Sequence, residues 1–256
     1  ICTTLSTAGT TYTLQNDVST TGTCFTIGAD NIVLDGNGYS ILGDGSGGAD
    51  YGVSSSRSNT TIKNFKNISG FGVGIFANSI KNSLIINNTL LNSTTGINVD
   101  SAMNSTVTGN IINFNGSYSI WISTYGIDTG GSTNLNISYN FIFSDYVGIM
   151  KDENNVNLYL INNQIYSLEP IRSDGGDTSS YLVYNNSFAE VRWDLLSSIV
   201  YGNLTFPGTI NINSSGVSVD ASLIGGATST LNRPANITFF EGYNGEYPTL
   251  LRKMRK

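Results

Sequence analysis

The sequence predicts an all-β fold: a right-handed parallel β-helix of about eight stacked coils with a disulfide-closed N-terminal cap. Three observations predict it. An asparagine recurs at intervals near 23 residues, a Gly–Ile pair recurs behind it, and strand formers (Val, Ile, Thr, Tyr, Phe) crowd out the good helix formers.

The repeat is read from eight segments. They are VLDGNG from Val33, TIKNFK from Thr61, LIINNT from Leu84, TVTGNI from Thr106, NISYNF from Asn136, YLINNQ from Tyr159, LVYNNS from Leu182 and IVYGNL from Ile199. Each is a short β-rich run ending in Gly or Asn and then Asn. The aligned column is Asn37, Asn88, Asn110, Asn140, Asn163, Asn186 and Asn203, with Phe65 in the slot after Asn37; successive spacings are 28, 23, 22, 30, 23, 23 and 17. A second column reads Gly74–Ile75, Gly96–Ile97, Ser119–Ile120, Gly148–Ile149 and Pro170–Ile171, with Gly52–Val53 delayed in the first coil by a Gly-rich loop, residues 43–50.

Such a period suits one turn of a three-faced solenoid, whose coils stack at the strand spacing of about 4.8 Å. Equivalent residues then lie above one another. At a tight turn Asn tolerates a left-handed backbone, and stacked amides satisfy each other along the stack. A leucine-rich repeat has a similar period but needs an L-x-x-L-x-L spacing that is absent. A β-sandwich gives no reason for an Asn in register.

Composition narrows function. Charged residues are 12% of the chain and the formal net charge is −6. The tail Arg252, Lys253, Arg255 and Lys256 holds four of the twelve basic residues; without it the body carries eight positive against eighteen negative charges, or −10. An acidic body repels phosphate backbones, so no nucleic-acid partner is expected. No run reaches the ~20 apolar residues of a membrane span. The tail reads as a solvated end or as a docking segment for an acidic neighbour.

The two cysteines, Cys2 and Cys24, read as a disulfide closing a loop over the N-terminal end, the alternative being two separate buried thiols. A disulfide implies an oxidising, extracellular or cell-surface setting. The start at Ile1, without Met, is read as a removed signal peptide or an excised segment. Candidate N-glycosylation sites number eleven: Asn59, Asn67, Asn87, Asn92, Asn104, Asn115, Asn136, Asn185, Asn203, Asn213 and Asn236. With 32 Asn and 59 Ser plus Thr, chance gives about seven, so the excess is modest.

The opening carries a resemblance. YTLQNDV from Tyr12, CFTIGADNIVLDGNGYSILG from Cys24, and NTTIKNF from Asn59 look like the pectate-lyase-like right-handed β-helix proteins. The nearest branches are archaeal extracellular surface proteins and β-helix proteins linked to periplasmic copper-site maturation. The similarity weakens after about residue 190. It implies the β-helix, export, and a carbohydrate-related or structural role, but no single activity.

The chemistry of known sites is largely missing. The chain has no histidine, which removes Ser-His-Asp and Cys-His sites and ordinary zinc and copper sites. The nearest match to a lyase-like Arg with acidic neighbours is Arg172, Asp174 and Asp177, which also reads as a Gly-rich turn with solvated charges. No cofactor is expected; the one metal considered is Ca²⁺, weakly, where Asp44 and Asp50 flank a Gly/Ser loop. Aromatics concentrate between Tyr118 and Trp193, as core, as a protein-packing face or as a sugar-stacking stripe.

Residues 1–28 are expected to form the cap and first strand, 29–206 the regular coils, and 207–256 irregular coils and the basic tail. The C-terminal end reads as the less protected one. The expected function is an extracellular structural protein, a subunit of a filament, appendage or surface layer that polymerises through the β-helix ends and the tail. The alternative is a carbohydrate-binding or polysaccharide-degrading β-helix protein.

Overall fold

The computed structural model describes residues 1–114, 118–123, 132–151, 155–173, 179–195, 198–200, 204–220 and 235–240. Among these the secondary structure is entirely β. The chain winds as a parallel β-solenoid, placing each strand beside its equivalent one turn later.

Three sheets run along the axis. The first holds β1 (Thr3–Leu5), β4 (Phe25–Ile27), β7 (Tyr51–Ser55), β10 (Val73–Asn78), β13 (Thr95–Asp100), β16 (Tyr118–Ser123), β19 (Val147–Lys151) and β22 (Glu169–Ser173). The second holds β2 (Thr11–Thr13), β5 (Val33–Asp35), β8 (Thr61–Lys63), β11 (Leu84–Ile86), β14 (Thr106–Thr108), β17 (Asn136–Ser138), β20 (Val156–Ile161) and β23 (Ser179–Asn185). The third holds β3 (Val18–Ser19), β6 (Ser40–Leu42), β9 (Asn67–Ser69), β12 (Thr89–Leu91), β15 (Ile111–Phe114), β18 (Phe141–Ser144) and β21 (Gln164–Tyr166). Seven turns are therefore complete, and β22 and β23 begin an eighth.

Each sheet sends one apolar column inward. Val53, Ile75, Ile97, Ile120, Ile149 and Ile171 line the first sheet in register. Leu34, Ile62, Ile85, Val107, Ile137, Leu160 and Leu182 line the second, and Ile41, Ile68, Leu90, Ile112, Ile142 and Ile165 the third; all are essentially inaccessible to solvent. Each such side chain contributes about 1.5–3 kcal/mol by burial. The recurring Gly before the isoleucine has a steric cause: a Cβ on Gly74 would lie 2.7 Å from the Gly96 carbonyl oxygen of the next coil.

The predicted asparagine column is a buried ladder where the second sheet turns into the third. The backbone N–H and Nδ2 of Asn88 both donate to Asn110 Oδ1 at 3.0 Å, those of Asn110 to Asn140 Oδ1 at 3.0 Å, and those of Asn140 to Asn163 Oδ1 at 3.0 Å. Nδ2 also donates backwards, from Asn88 to Ile62 O, from Asn110 to Ile85 O, from Asn140 to Val107 O and from Asn163 to Ile137 O. Phe65 takes the predicted slot above, its N–H donating to Asn88 Oδ1 at 3.2 Å.

Two predicted rungs stand outside the ladder. Four residues separate Asp35 from Ser40, against two between Ile86 and Thr89. The longer turn carries Asn37 (φ 49°) out to an exposed tip with Gly38 (φ 77°), and its amide reaches only the Leu14 carbonyl at 3.3 Å. At the other end the chain reverses after β23 instead of turning the corner. Asn186 sits in that reversal, accepting the Phe188 N–H and donating to Ile212 O. Tyr184 closes the foot of the ladder, its hydroxyl donating to Asn163 O at 2.8 Å, and burial pushes its phenol pKa up. Asn203 lies outside the described residues.

The reversal also corrects the expectation for the C-terminal end. β24 (Ala189–Asp194) pairs antiparallel with β23, and β28 (Asn236–Phe239) antiparallel with β24. β25 (Ser198–Val200), expected as an eighth coil of the second sheet, instead joins the first sheet antiparallel to β22. Leu204 bridges Ile165 antiparallel, closing the third sheet, while β26 (Ile210–Asn213) and β27 (Gly216–Val219) form a hairpin. In all three sheets the last parallel strand is thus met by an antiparallel strand or bridge, so this end has a cap.

At the N-terminal end Cys2 and Cys24 form the disulfide, with Cα atoms 4.4 Å apart. They directly precede Thr3 and Phe25, which pair in β1 and β4, so the bond is a covalent rung between successive coils. Closing a loop of this length stabilises by roughly 3 kcal/mol.

Asn110→Ala removes the buried acceptor shared by the Asn88 N–H and Nδ2, and the donor to the Ile85 carbonyl. It should cost about 3 kcal/mol in urea unfolding, whereas Asn82→Ala, at an exposed corner, should stay within about 1 kcal/mol.

Candidate functional site

The solenoid presents three candidate regions: the corners with their sequons, the outward aromatic rows, and the two ends. Local backbone chemistry builds the corners. Between the first and second sheets Asn31, Asn59, Asn82, Asn104 and Asn134, and Asn157 at the irregular start of β20, all adopt positive φ, between 50° and 61°. Their side chains form a second amide row, from Asn59 to Asn31 at 3.0 Å, from Asn134 to Asn104 at 2.8 Å and from Asn157 to Asn134 at 2.9 Å. Sequence reasoning missed this row, although each member stands six residues before Asn37, Phe65, Asn88, Asn110, Asn140 or Asn163. Inside the same corner the backbone N–H of Thr60 donates to Ser83 Oγ and that of Ser83 to Ser105 Oγ.

The sequons sort by this geometry. Asn59, Asn87, Asn92 and Asn104 are exposed corner residues in left-handed conformation. A corner Asn is followed two residues later by Thr61, Thr89 or Thr106, the first residue of a strand. Three of the triplets therefore arise from turn and strand chemistry alone. Asn67 and Asn136 lie in strands with their Oδ1 atoms buried, and Asn67 Nδ2 is held by Ser69 Oγ at 3.0 Å. Asn185 is half-buried and its backbone N–H donates to Asn162 Oδ1. Asn213 and Asn236 are exposed, whereas Asn115 and Asn203 lie outside the described residues.

The aromatic rows have a geometry that bears on sugar binding. Phe143 and Tyr166 stack at 4.8 Å and 14°, as do Tyr51 and Phe76. That separation is close to the coil spacing, and within each pair one face of each ring lies against its neighbour. Tyr159 and Tyr181 form a tilted pair at 5.2 Å, and the Arg192 guanidinium lies 4.8 Å from the Tyr181 ring centre. Tyr184 and Trp193 are core. A pyranose packs on an open ring face, and these rows hold much of that area against neighbouring side chains. Tyr118, Trp121 and Tyr125 lie outside the described side chains.

Among the described residues the acidic candidates do not converge. Arg172 lies 3.8 Å from Glu169 on its own strand and 3.5 Å from the Tyr146 hydroxyl. Asp174 and Asp177 lie outside the described residues. Asp44 is exposed and accepts the Ser46 N–H, which helps hold its pKa below the ordinary value. Asp50 is buried, with Oδ1 accepting the Gly72 N–H at 2.8 Å. Among the described residues no three His, Cys, Asp or Glu side chains gather as a metal site.

Asp35 forms a cross-coil ion pair with Lys63 at 3.2 Å. Burial opposes its ionisation. Hydrogen bonds from the Asn37 N–H, Lys63 and Asn64, with the Lys63 charge, outweigh that and lower its pKa. The basic residues Arg252, Lys253, Arg255 and Lys256 lie outside the described residues. Among the described residues no helix is long and apolar enough to cross a membrane. No protein-family model, no curated protein and no solved structure matches this chain.

Two outcomes are expected. Exported from an N-glycosylating host, the chain should carry glycans at Asn87, Asn92 and Asn104 but not at Asn67 or Asn136, as read by glycopeptide mass spectrometry. The depressed pKa of Asp35 contributes stability that is full above about pH 4 and lost as pH falls through the folded value. Asp35→Asn should therefore flatten part of the acid limb of a stability–pH profile.

Proposed function

We propose that this chain is an extracellular structural protein, a subunit of a cell-surface filament, appendage or surface layer that assembles end to end. The observation that carries the reading is the inequality of the two ends. The last parallel strands are each met by an antiparallel strand or bridge, whereas among the described residues nothing pairs with the outer edges of β1, β2 and β3. A solenoid with one finished and one unfinished end is directional, and a directional contact between copies generates a chain rather than a closed pair.

Three further features support it. The buried Asn ladder and the in-register columns make a self-satisfied shaft with no cleft demanded by its packing. The disulfide suits an oxidising exterior. The likeness of the opening to extracellular β-helix proteins of archaeal surfaces points the same way. The carbohydrate reading would need a row of open ring faces or a convergent acidic site; Phe143 and Tyr166 stack on one another, and among the described residues no acidic cluster gathers.

Electron microscopy of native material, and of the purified chain at high concentration, tests the proposal. Filaments or a lattice with an axial repeat near one solenoid length are expected, and deletion of residues 241–256 should abolish them. A chain that stays monomeric by light scattering across its soluble range sinks the reading.

A further inference from the structure

We propose that the open N-terminal edge is the docking surface for the C-terminal segment, residues 241–256, of a second copy of this chain. This rests on the end-to-end reading above and names its two contact surfaces.

The partition of charge supports it. The first 56 residues hold Asp17, Asp30, Asp35, Asp44 and Asp50 and no Lys or Arg. Asp50 is buried, and Asp35 is answered by Lys63. The remaining three are exposed, one at each corner of the solenoid: Asp17 between β2 and β3, Asp30 between β4 and β5, and Asp44 between β6 and β7. Each is oriented by a backbone N–H, from Ser40 to Asp17 at 2.8 Å, from Ser58 to Asp30 at 2.9 Å and from Ser46 to Asp44 at 2.9 Å. Asp17 stands on the outermost coil and Asp30 and Asp44 on the next, an acidic ring beside an edge whose alternate N–H and C=O groups have no partner strand among the described residues. The last five residues, RKMRK, carry four positive charges and no carboxylate side chain.

Length selects a second copy over the chain's own edge. Seven coils separate the ends by about 34 Å. A segment running back along its own solenoid would use about ten residues, at about 3.4 Å each, as a taut spacer. A neighbour stacked on the capped end offers its edge directly. The run before the basic residues, Tyr247 to Leu251, then supplies backbone groups for the open edge, while the charges reach the ring.

The test mixes isotopically light and heavy full-length chains and couples them with a carbodiimide, which joins a lysine amine to a carboxylate with loss of water. The expected products are mixed-isotope peptides linking Lys253 or Lys256 to Asp17, Asp30 or Asp44. Same-isotope links alone show fold-back and overturn the proposal, as do links elsewhere or none at all. The triple variant Asp17→Asn, Asp30→Asn, Asp44→Asn keeps the acceptors for the three N–H groups but not the charge. It should weaken self-association about tenfold at low salt and remove most of its salt dependence. Unchanged association of the triple variant also overturns the proposal. Polymers that form without these links leave the end-to-end reading standing; monomers alone defeat that reading first.

Discussion

A buried amide that must find its partner one coil away is the constraint on which the rest of this structure depends. Asn110 can occupy the interior only because Asn140 presents Oδ1 at 3.0 Å from both of its donors, and Asn88 uses Asn110 in the same way. Each link requires the coils to stack in register and at strand spacing. A slip of one residue would leave several buried donors without acceptors, at about 1–3 kcal/mol each. The apolar columns tolerate exchange among Val, Ile and Leu; the amide column does not. Register is thus set at the corner and inherited by the three sheets.

The sequence states this constraint openly where coils are regular. The spacing of Asn88, Asn110, Asn140 and Asn163 already identifies the ladder, the Gly–Ile column identifies the first sheet, and the Cys2–Cys24 separation equals one coil. It misleads where the same letters serve another geometry. Asn37 belongs to an Asn–Gly turn tip because two added residues lengthen its corner, and Asn186 to a reversal because β24 folds back. A periodic pattern cannot announce a change of strand direction, since an antiparallel strand uses the same alternation as a parallel one. The exposed Asn31–Asn157 row was legible in principle, but its lesser burial makes it look like ordinary turn chemistry. The candidate sites were less legible still. Sequons Asn59, Asn87 and Asn104 arise from a left-handed corner followed by a strand-opening Thr, so their number reports the coil before it reports any sugar.

The antiparallel closure limits what the solenoid can do at that end. A parallel edge could template another identical coil, but β25 and Leu204 present the opposite strand direction on two sheets, and on the third the reversed β24 is itself covered by β28. Growth by simple continuation of the helix is therefore blocked there, and any contact between copies must use side chains or an extended segment.

The covalent rung at the other end changes how the shaft bears load. Tension entering at Cys2 passes through the disulfide to Cys24 and bypasses the intervening 22-residue separation. The strands β1, β2 and β3 are then outside the force path, and the first hydrogen-bonded strand to feel a pull is β4, zipped against β7. An axial force cannot peel the outermost coil and so begin the sequential unravelling to which stacked coils are otherwise open. The weakest edge of the molecule is mechanically short-circuited.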